Sequence, residues 1–133
     1  MDRVIFACVH NAGRSQIAAA LFNLLADPTK AIAFSAGTRP GERVHPEVVT
    51  AMQEVGIDLS RATPRLLTRE LAEGACLLVT MGCGDDCPYV PGLELDDWPL
   101  PDPKGQSLER VCEIRDNVRR HVEALISARR WGR

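Results

Sequence analysis

The chain has 133 residues, of which 45% are hydrophobic and 26% charged, with a formal net charge of −2. That length suits one core and not two with a linker, and the balance excludes a disordered chain and a strongly basic nucleic-acid binder, so residues 1–133 are expected to form a single domain that binds no nucleic acid. No signal-peptide pattern precedes Val4 and no apolar run reaches membrane-spanning length, so a cytoplasmic protein with no membrane contact is expected.

The first predicted element is a buried strand, Arg3-Val4-Ile5-Phe6-Ala7, which stops at Cys8. Beyond the segment from Val9 to Arg14, apolar residues at Ile17, Ala20, Leu21, Leu24 and Leu25 have the spacing of one helical stripe, closed by Asp27-Pro28. Ala31 to Ser35 is a second strand, followed by a loop of turn residues from Ala36 to Gly41. A helix is predicted over Pro46 to Val55, with proline in its first turn and Gly56 beyond its end, and a shorter one over Thr68 to Glu73. Cys76 to Met81 reads as a third buried strand and Leu93 to Leu95 as a short fourth. The final helix carries Leu108, Val111, Arg115, Val118, Val122 and Leu125 at alternating steps of three and four. Its end, from Arg115 to Arg133, holds six arginines against two acids, the pattern of a solvated face or of a partner contact.

The alternation of strand and helix predicts an α/β fold, a small doubly wound sheet of four parallel strands with helices on both faces. Ligands in such sheets sit beyond the carboxyl ends of the strands. Cys8 follows strand one, Cys83 follows strand three and Asp102 follows strand four, so parallel strands place all three along one edge.

Cysteine is the unusual feature of the composition: Cys8, Cys76, Cys83, Cys87 and Cys112 are an odd number in a small chain expected in a reducing compartment. Such thiols serve metal binding, redox cycling or nucleophilic catalysis. No metal site is expected, because Cys83-x3-Cys87 lacks two further ligands and His10, His45 and His121 have no matching spacing. Cys76 opens an apolar strand and Cys112 lies beside the apolar stripe of the last helix, so both are expected to pack in the core.

The segment Cys8-Val9-His10-Asn11-Ala12-Gly13-Arg14-Ser15 joins a strand to a helix N-terminus, where backbone N–H groups lack intrahelical partners and can converge on an anion. The positive potential there favours a nucleophilic thiolate. Arg14 offers a planar fork to paired oxygens of a tetrahedral oxyanion, Gly13 permits close backbone approach, and Ser15 can cap the helix or donate to the sulfur.

Cys8-x5-Arg14-Ser15 after an N-terminal strand resembles the phosphate loop of low-molecular-weight protein tyrosine phosphatases. The fuller string Cys8 to Gln16, with Ser35-Ala36-Gly37-Thr38 and Val79-Thr80-Met81-Gly82-Cys83-Gly84-Asp85 downstream, is similar to the arsenate reductases built on that fold. The resemblance runs along nearly the whole chain. It implies reduction of arsenate to arsenite in arsenic detoxification, with aryl-phosphate hydrolysis by Cys8, Arg14 and Asp102 as the alternative activity. It also implies that Val9 to Ser15 bind the oxyanion, with Asn11 holding the loop in shape. Pro99-Leu100-Pro101-Asp102-Pro103 resembles the family's aspartate-proline loop, which makes Asp102 the general acid; Asp97 is the alternate. His10 either tunes the thiolate or faces solvent. Some relatives bind potassium through positions like Asn11 and Ser35 plus a glutamate, and Ala19 stands where that glutamate would fall.

Arsenic(V) accepts two electrons from thiols, and Cys83 and Cys87 are the expected source. In the implied relay Cys83 attacks the arsenylated Cys8, and Cys87 then attacks Cys83. In a helix the Cα atoms of residues four apart lie about 6 Å apart, within disulfide range. No tightly bound cofactor is expected. The reductant is external, thioredoxin or a low-molecular-weight thiol, and the substrates are arsenate and phosphate-like oxyanions.

Overall fold

The computed structural model describes residues 1–82 and 90–133. Cys83 and Cys87 lie outside the described residues. The elements in chain order are β1 (Asp2–Cys8), α1 (Arg14–Leu25), β2 (Ala31–Gly37), α2 (Pro46–Gln53), α3 (Arg69–Glu73), β3 (Leu77–Thr80), β4 (Glu94–Asp97) and α4 (Leu108–Arg129). The strands form one sheet in the order β2-β1-β3-β4, and every pairing is parallel, as the alternating sequence predicts.

Successive residues of β1 point to opposite faces and build two cores of unequal size. Val4, Phe6 and Cys8 join Leu77 and Val79 under α1, α2 and α4, where Ile17, Phe22, Val48, Met52, Ile114 and Val118 close the larger core. Ile5 and Ala7 face the other way, onto a thinner layer made with Ala36, Leu67 and Leu78, against which Leu71 of α3 packs. Among the described residues helices therefore cover both faces, three on one and a short turn-and-a-half on the other.

The helix ends follow from their sequences. Thr68 accepts from the N–H of Leu71 at 3.1 Å and Ser107 from that of Arg110 at 3.2 Å, capping α3 and α4. Pro46 starts α2, and Arg130, in the left-handed region at φ 59°, ends α4. By contrast α1 begins at Gly13 with no side-chain cap, leaving its first-turn N–H groups open.

Four expectations need correction. The α2 helix stops at Gln53 because Glu54 to Gly56 form a turn, with Gly56 at φ +81°. The fourth strand runs from Glu94 to Asp97, two residues beyond Leu95, and all four are exposed. It is an edge strand held by backbone pairing, so no apolar alternation marks it. Cys76 is exposed at the amino end of the sheet: its backbone pairs with Arg3 and Glu94, but its side chain precedes the buried run Leu77–Val79. Leu108 is exposed, while Ile114 and Ile126, outside the predicted stripe, are buried with Val111, Val118, Val122 and Leu125. Arg115 belongs in that stripe because its guanidinium donates to the carbonyl of Ala51 at 2.7 Å and to Asp116 at 2.9 Å.

Candidate active site

The parallel sheet sets Cys8, the last residue of β1, at the carboxyl edge, and the chain then loops through residues 9–13 into α1. Each carbonyl of that loop is engaged. Cys8 accepts from Thr38 N–H at 3.2 Å, Val9 from Arg39 at 2.8 Å, His10 from Gly41 at 2.9 Å, Ala12 from His45 at 2.9 Å and Gly13 from Ile17 at 3.0 Å. Asn11 accepts from the side-chain amide of Gln16 at 3.1 Å. In a planar peptide the C=O and the following N–H point in opposite directions, so the N–H groups of Val9 to Arg14 are turned to the other side. Among the described residues none of these N–H groups has a protein acceptor. A row of unclaimed donors at an uncapped helix start has the chemistry to receive an anion.

The surroundings of Cys8 are built by side chains. Cys8 is 3% exposed, and its Sγ lies 2.8 Å from Ser15 Oγ. Asn11 Nδ2 donates to the same Oγ at 2.7 Å, which leaves the serine proton free to point at the sulfur. Asn11 is fully buried in the left-handed region at φ 50°, a conformation asparagine tolerates better than most residues. Its Oδ1 accepts from the N–H of Arg65 at 3.0 Å and from Gln16 at 3.1 Å. Asn11 thus ties Ser15, Gln16 and the Arg65 backbone together.

Two charged residues complete the cluster. Arg14, its side chain 12% exposed, donates through Nη1 to the Leu100 carbonyl at 3.0 Å, and its Nη2 is 3.7 Å from Asp102 Oδ2. Asp102 Oδ1 accepts from the N–H of Lys104 at 3.0 Å. The following Pro103 rests on Gly13, where an added Cβ would fall 2.6 Å from its Cγ. The alternate, Asp97, is engaged by the hydroxyl of Thr80 at 2.7 Å at the end of β3. Of the two aspartates, Asp102 is the one that meets Arg14. His10 makes its ring contact with the Arg39 carbonyl at 3.0 Å, at an exposed position.

His45 escapes sequence reasoning, which weighs it only as a metal ligand. Its N–H holds the Ala12 carbonyl, and its ring lies beside Gly13, with Cδ2 3.5 Å from where a Cβ would stand. Burial pushes the ring's pKa down, with Lys104 and His10 adding to the effect against Asp102 and Glu47. A backbone contact of this kind leaves no mark in residue type. Among the described residues no cluster of three or more His, Cys, Asp or Glu is arranged to hold a metal ion, and no helix is long and apolar enough to cross a membrane. Cys112 is half-buried against the larger core, and burial raises its thiol pKa.

Comparison with known proteins points the same way. Residues 3–130 match the family model described as low molecular weight phosphotyrosine protein phosphatase. A putative arsenate reductase of Halobacterium salinarum is 39% identical over 126 residues, covering 90% of this chain and 87% of that protein. A glutaredoxin arsenate reductase of a Synechocystis strain is 35% identical over 130 residues, covering 96% and 98%. Among solved structures, the thioredoxin-dependent arsenate reductase of Corynebacterium glutamicum superposes with a TM-score of 0.78 at 36% identity over 96% of this chain, which spans 63% of that longer one. An arsenate reductase in its oxidized state gives 0.83 at 34% identity, covering 96% and 98%.

Proposed function

The chain belongs to the low molecular weight phosphotyrosine protein phosphatase family, and from that premise we propose that residues 1–133 act as one cytoplasmic unit that reduces arsenate to arsenite, in arsenic detoxification. The reading rests on one juxtaposition: Cys8 and Arg14 bracket a loop of unclaimed N–H donors at the carboxyl edge of the sheet, and Asp102 stands 3.7 Å from Arg14.

Arsenate enters the loop as a tetrahedral oxyanion, held by the N–H groups of Val9 to Ser15 and by the Arg14 fork. The Cys8 sulfur attacks arsenic while an oxygen leaves as water, protonated by Asp102. Ser15 donates to the sulfur before attack. The product is a covalent thiol-arsenate.

Phosphate binds the same loop and stops there, because phosphorus(V) does not take electrons from thiols. For arsenic the Cys83 thiolate attacks the Cys8 sulfur, the As–S electron pair stays with arsenic, and arsenite departs from a Cys8–Cys83 disulfide. Cys87 next attacks Cys83, which frees Cys8 and leaves a Cys83–Cys87 disulfide for external thioredoxin. A low-molecular-weight thiol attacking arsenylated Cys8 is the competing route. Aryl-phosphate hydrolysis by Cys8, Arg14 and Asp102 is the second reading, favoured by the family to which the chain belongs.

Turnover with thioredoxin, its reductase and NADPH tests the scheme. Arsenate-dependent NADPH consumption should vanish in Cys8→Ser and fall to background in Cys83→Ser and Cys87→Ser. Unchanged turnover in the last two overturns the relay. Hydrolysis of para-nitrophenyl phosphate without arsenate turnover makes the protein a phosphatase instead. Mass-spectrometric mapping after a single turnover without reductant should find the Cys83–Cys87 bridge.

A further inference from the structure

Arg14 is the only charged side chain within the oxyanion loop and first helical turn, so its aim governs how the anion is held. Leu100 takes Nη1, and Asp102 stands near Nη2. Among the described residues Nε has no partner, which leaves the Nε–Nη2 edge, the side-on fork suited to two oxygens, open to the anion. On the side of β3 the guanidinium occupies the space that a side chain at Gly82 would take. An added Cβ there would fall 2.9 Å from Nη1, 3.3 Å from Nη2 and 3.4 Å from Cζ of Arg14. The residue has φ +90°, and it cannot retreat, because the adjoining Met81 is fully buried and its N–H donates to Ala7 at 2.7 Å.

We propose that Gly82 is the seat of the Arg14 guanidinium, a positioning residue that sets oxyanion affinity by offering backbone alone where any side chain would push the fork off the Leu100 carbonyl. This deepens the oxyanion-binding reading above and rests on it. Gly82 is also bonded directly to Cys83, so the residue that seats the anion's arginine and the first relay thiol are consecutive in the chain. Oxyanion grip and electron supply are thereby joined through one peptide bond.

The test measures binding of inorganic phosphate by calorimetry, since phosphate occupies the loop without being reduced. Gly82→Ala should weaken phosphate by about tenfold or more, the scale of one lost charge-assisted hydrogen bond. In an Arg14→Lys background, where the bulky fork is gone, the same substitution should cost less than about twofold, a non-additivity that a merely structural glycine would not show. Gly56→Ala is the control for backbone strain, because Gly56 also has positive φ but nothing within 4 Å of an added Cβ; it should lower Tm and leave phosphate affinity unchanged. Wild-type affinity in Gly82→Ala, or an equal loss in both backgrounds, overturns the seat. Should Gly82→Ala fail to fold, recovery of cooperative unfolding in the Arg14→Lys double variant supports it and persistent unfolding overturns it. Failure of the wild type to bind phosphate or arsenate instead refutes the functional reading itself.

Discussion

In the loop from Cys8 to Arg14 each carbonyl of residues 8–13 meets a donor, and the organising side chain, Asn11, is fully buried with bonds to Ser15, Gln16 and Arg65. The loop from Pro99 to Lys104 is held otherwise: its acid, Asp102, is 48% exposed, 3.7 Å from Arg14, and three prolines replace N–H donors with fixed φ angles. The first loop is stiffened by hydrogen bonds and the second by covalent rings. The difference matches the tasks proposed for them. Binding a tetrahedral anion needs many dipoles aimed at one point, which only a cross-braced backbone sustains. Delivering a proton needs one carboxyl near the departing oxygen with access to solvent for recharging.

Substitutions can break this contrast in graded steps. The largest effect is expected from Asn11→Ala, which takes away the acceptor of the Arg65 N–H and the buried donor to Ser15 Oγ and places alanine at positive φ. A loss of about 2–4 kcal/mol in unfolding free energy should accompany a fall of more than about a hundredfold in kcat/KM, read by denaturant titration and coupled assay. Asp102→Asn should separate the two quantities. It keeps the acceptor for Lys104 and removes the proton, so kcat should drop by about 10²–10⁴ while stability changes by less than about 0.5 kcal/mol. If Asp102→Asn unfolds the protein as Asn11→Ala does, the acid loop is structural and the contrast fails.

The smallest effect concerns His45, which holds the Ala12 carbonyl of the first loop and feels the charges of Asp102 and Lys104 in the second. Its pKa is lowered in the folded state by burial, so as pH falls through about 6.5, its unfolded value, the unfolded chain takes up the proton first. Stability should therefore decline from pH 7 toward the lower folded pKa and level off below it. His45→Gln should flatten that part of the profile, measured as urea midpoints across pH 5 to 8, whereas an unchanged slope would show that His45 does not carry it.

How much of this was readable from the residues alone depends on whether side-chain type or backbone geometry carried the information. The buried strands announce themselves, because Val4-Ile5-Phe6-Ala7 and Leu77-Leu78-Val79 are apolar on both faces. Cys8, Arg14 and Ser15 announce themselves too, since their chemistry makes sense only at a helix start. Edge strand β4 is silent, its Glu94-Leu95-Asp96-Asp97 held in place by backbone pairing that no side-chain pattern encodes. Arg115 reads as a break in an apolar stripe, yet it is buried because the Ala51 carbonyl and Asp116 satisfy it. The contacts that aim Arg14 are of the silent kind as well: a carbonyl at Leu100, and at Gly82 the lack of a side chain.

The two tryptophans give the sheet an optical polarity. Trp98 directly follows β4 at the carboxyl edge, its ring 5.4 Å from that of Phe6 and its N–H joined to Thr80. Trp131 sits at the opposite end, where its indole donates to Asp2 at 3.0 Å and its ring meets Phe22 edge-on. With no third tryptophan in the chain, tryptophan emission from the native protein is the sum of one lamp beside the candidate site and one beside Asp2 and Phe22. Replacing either by phenylalanine leaves a molecule that reports on a single end.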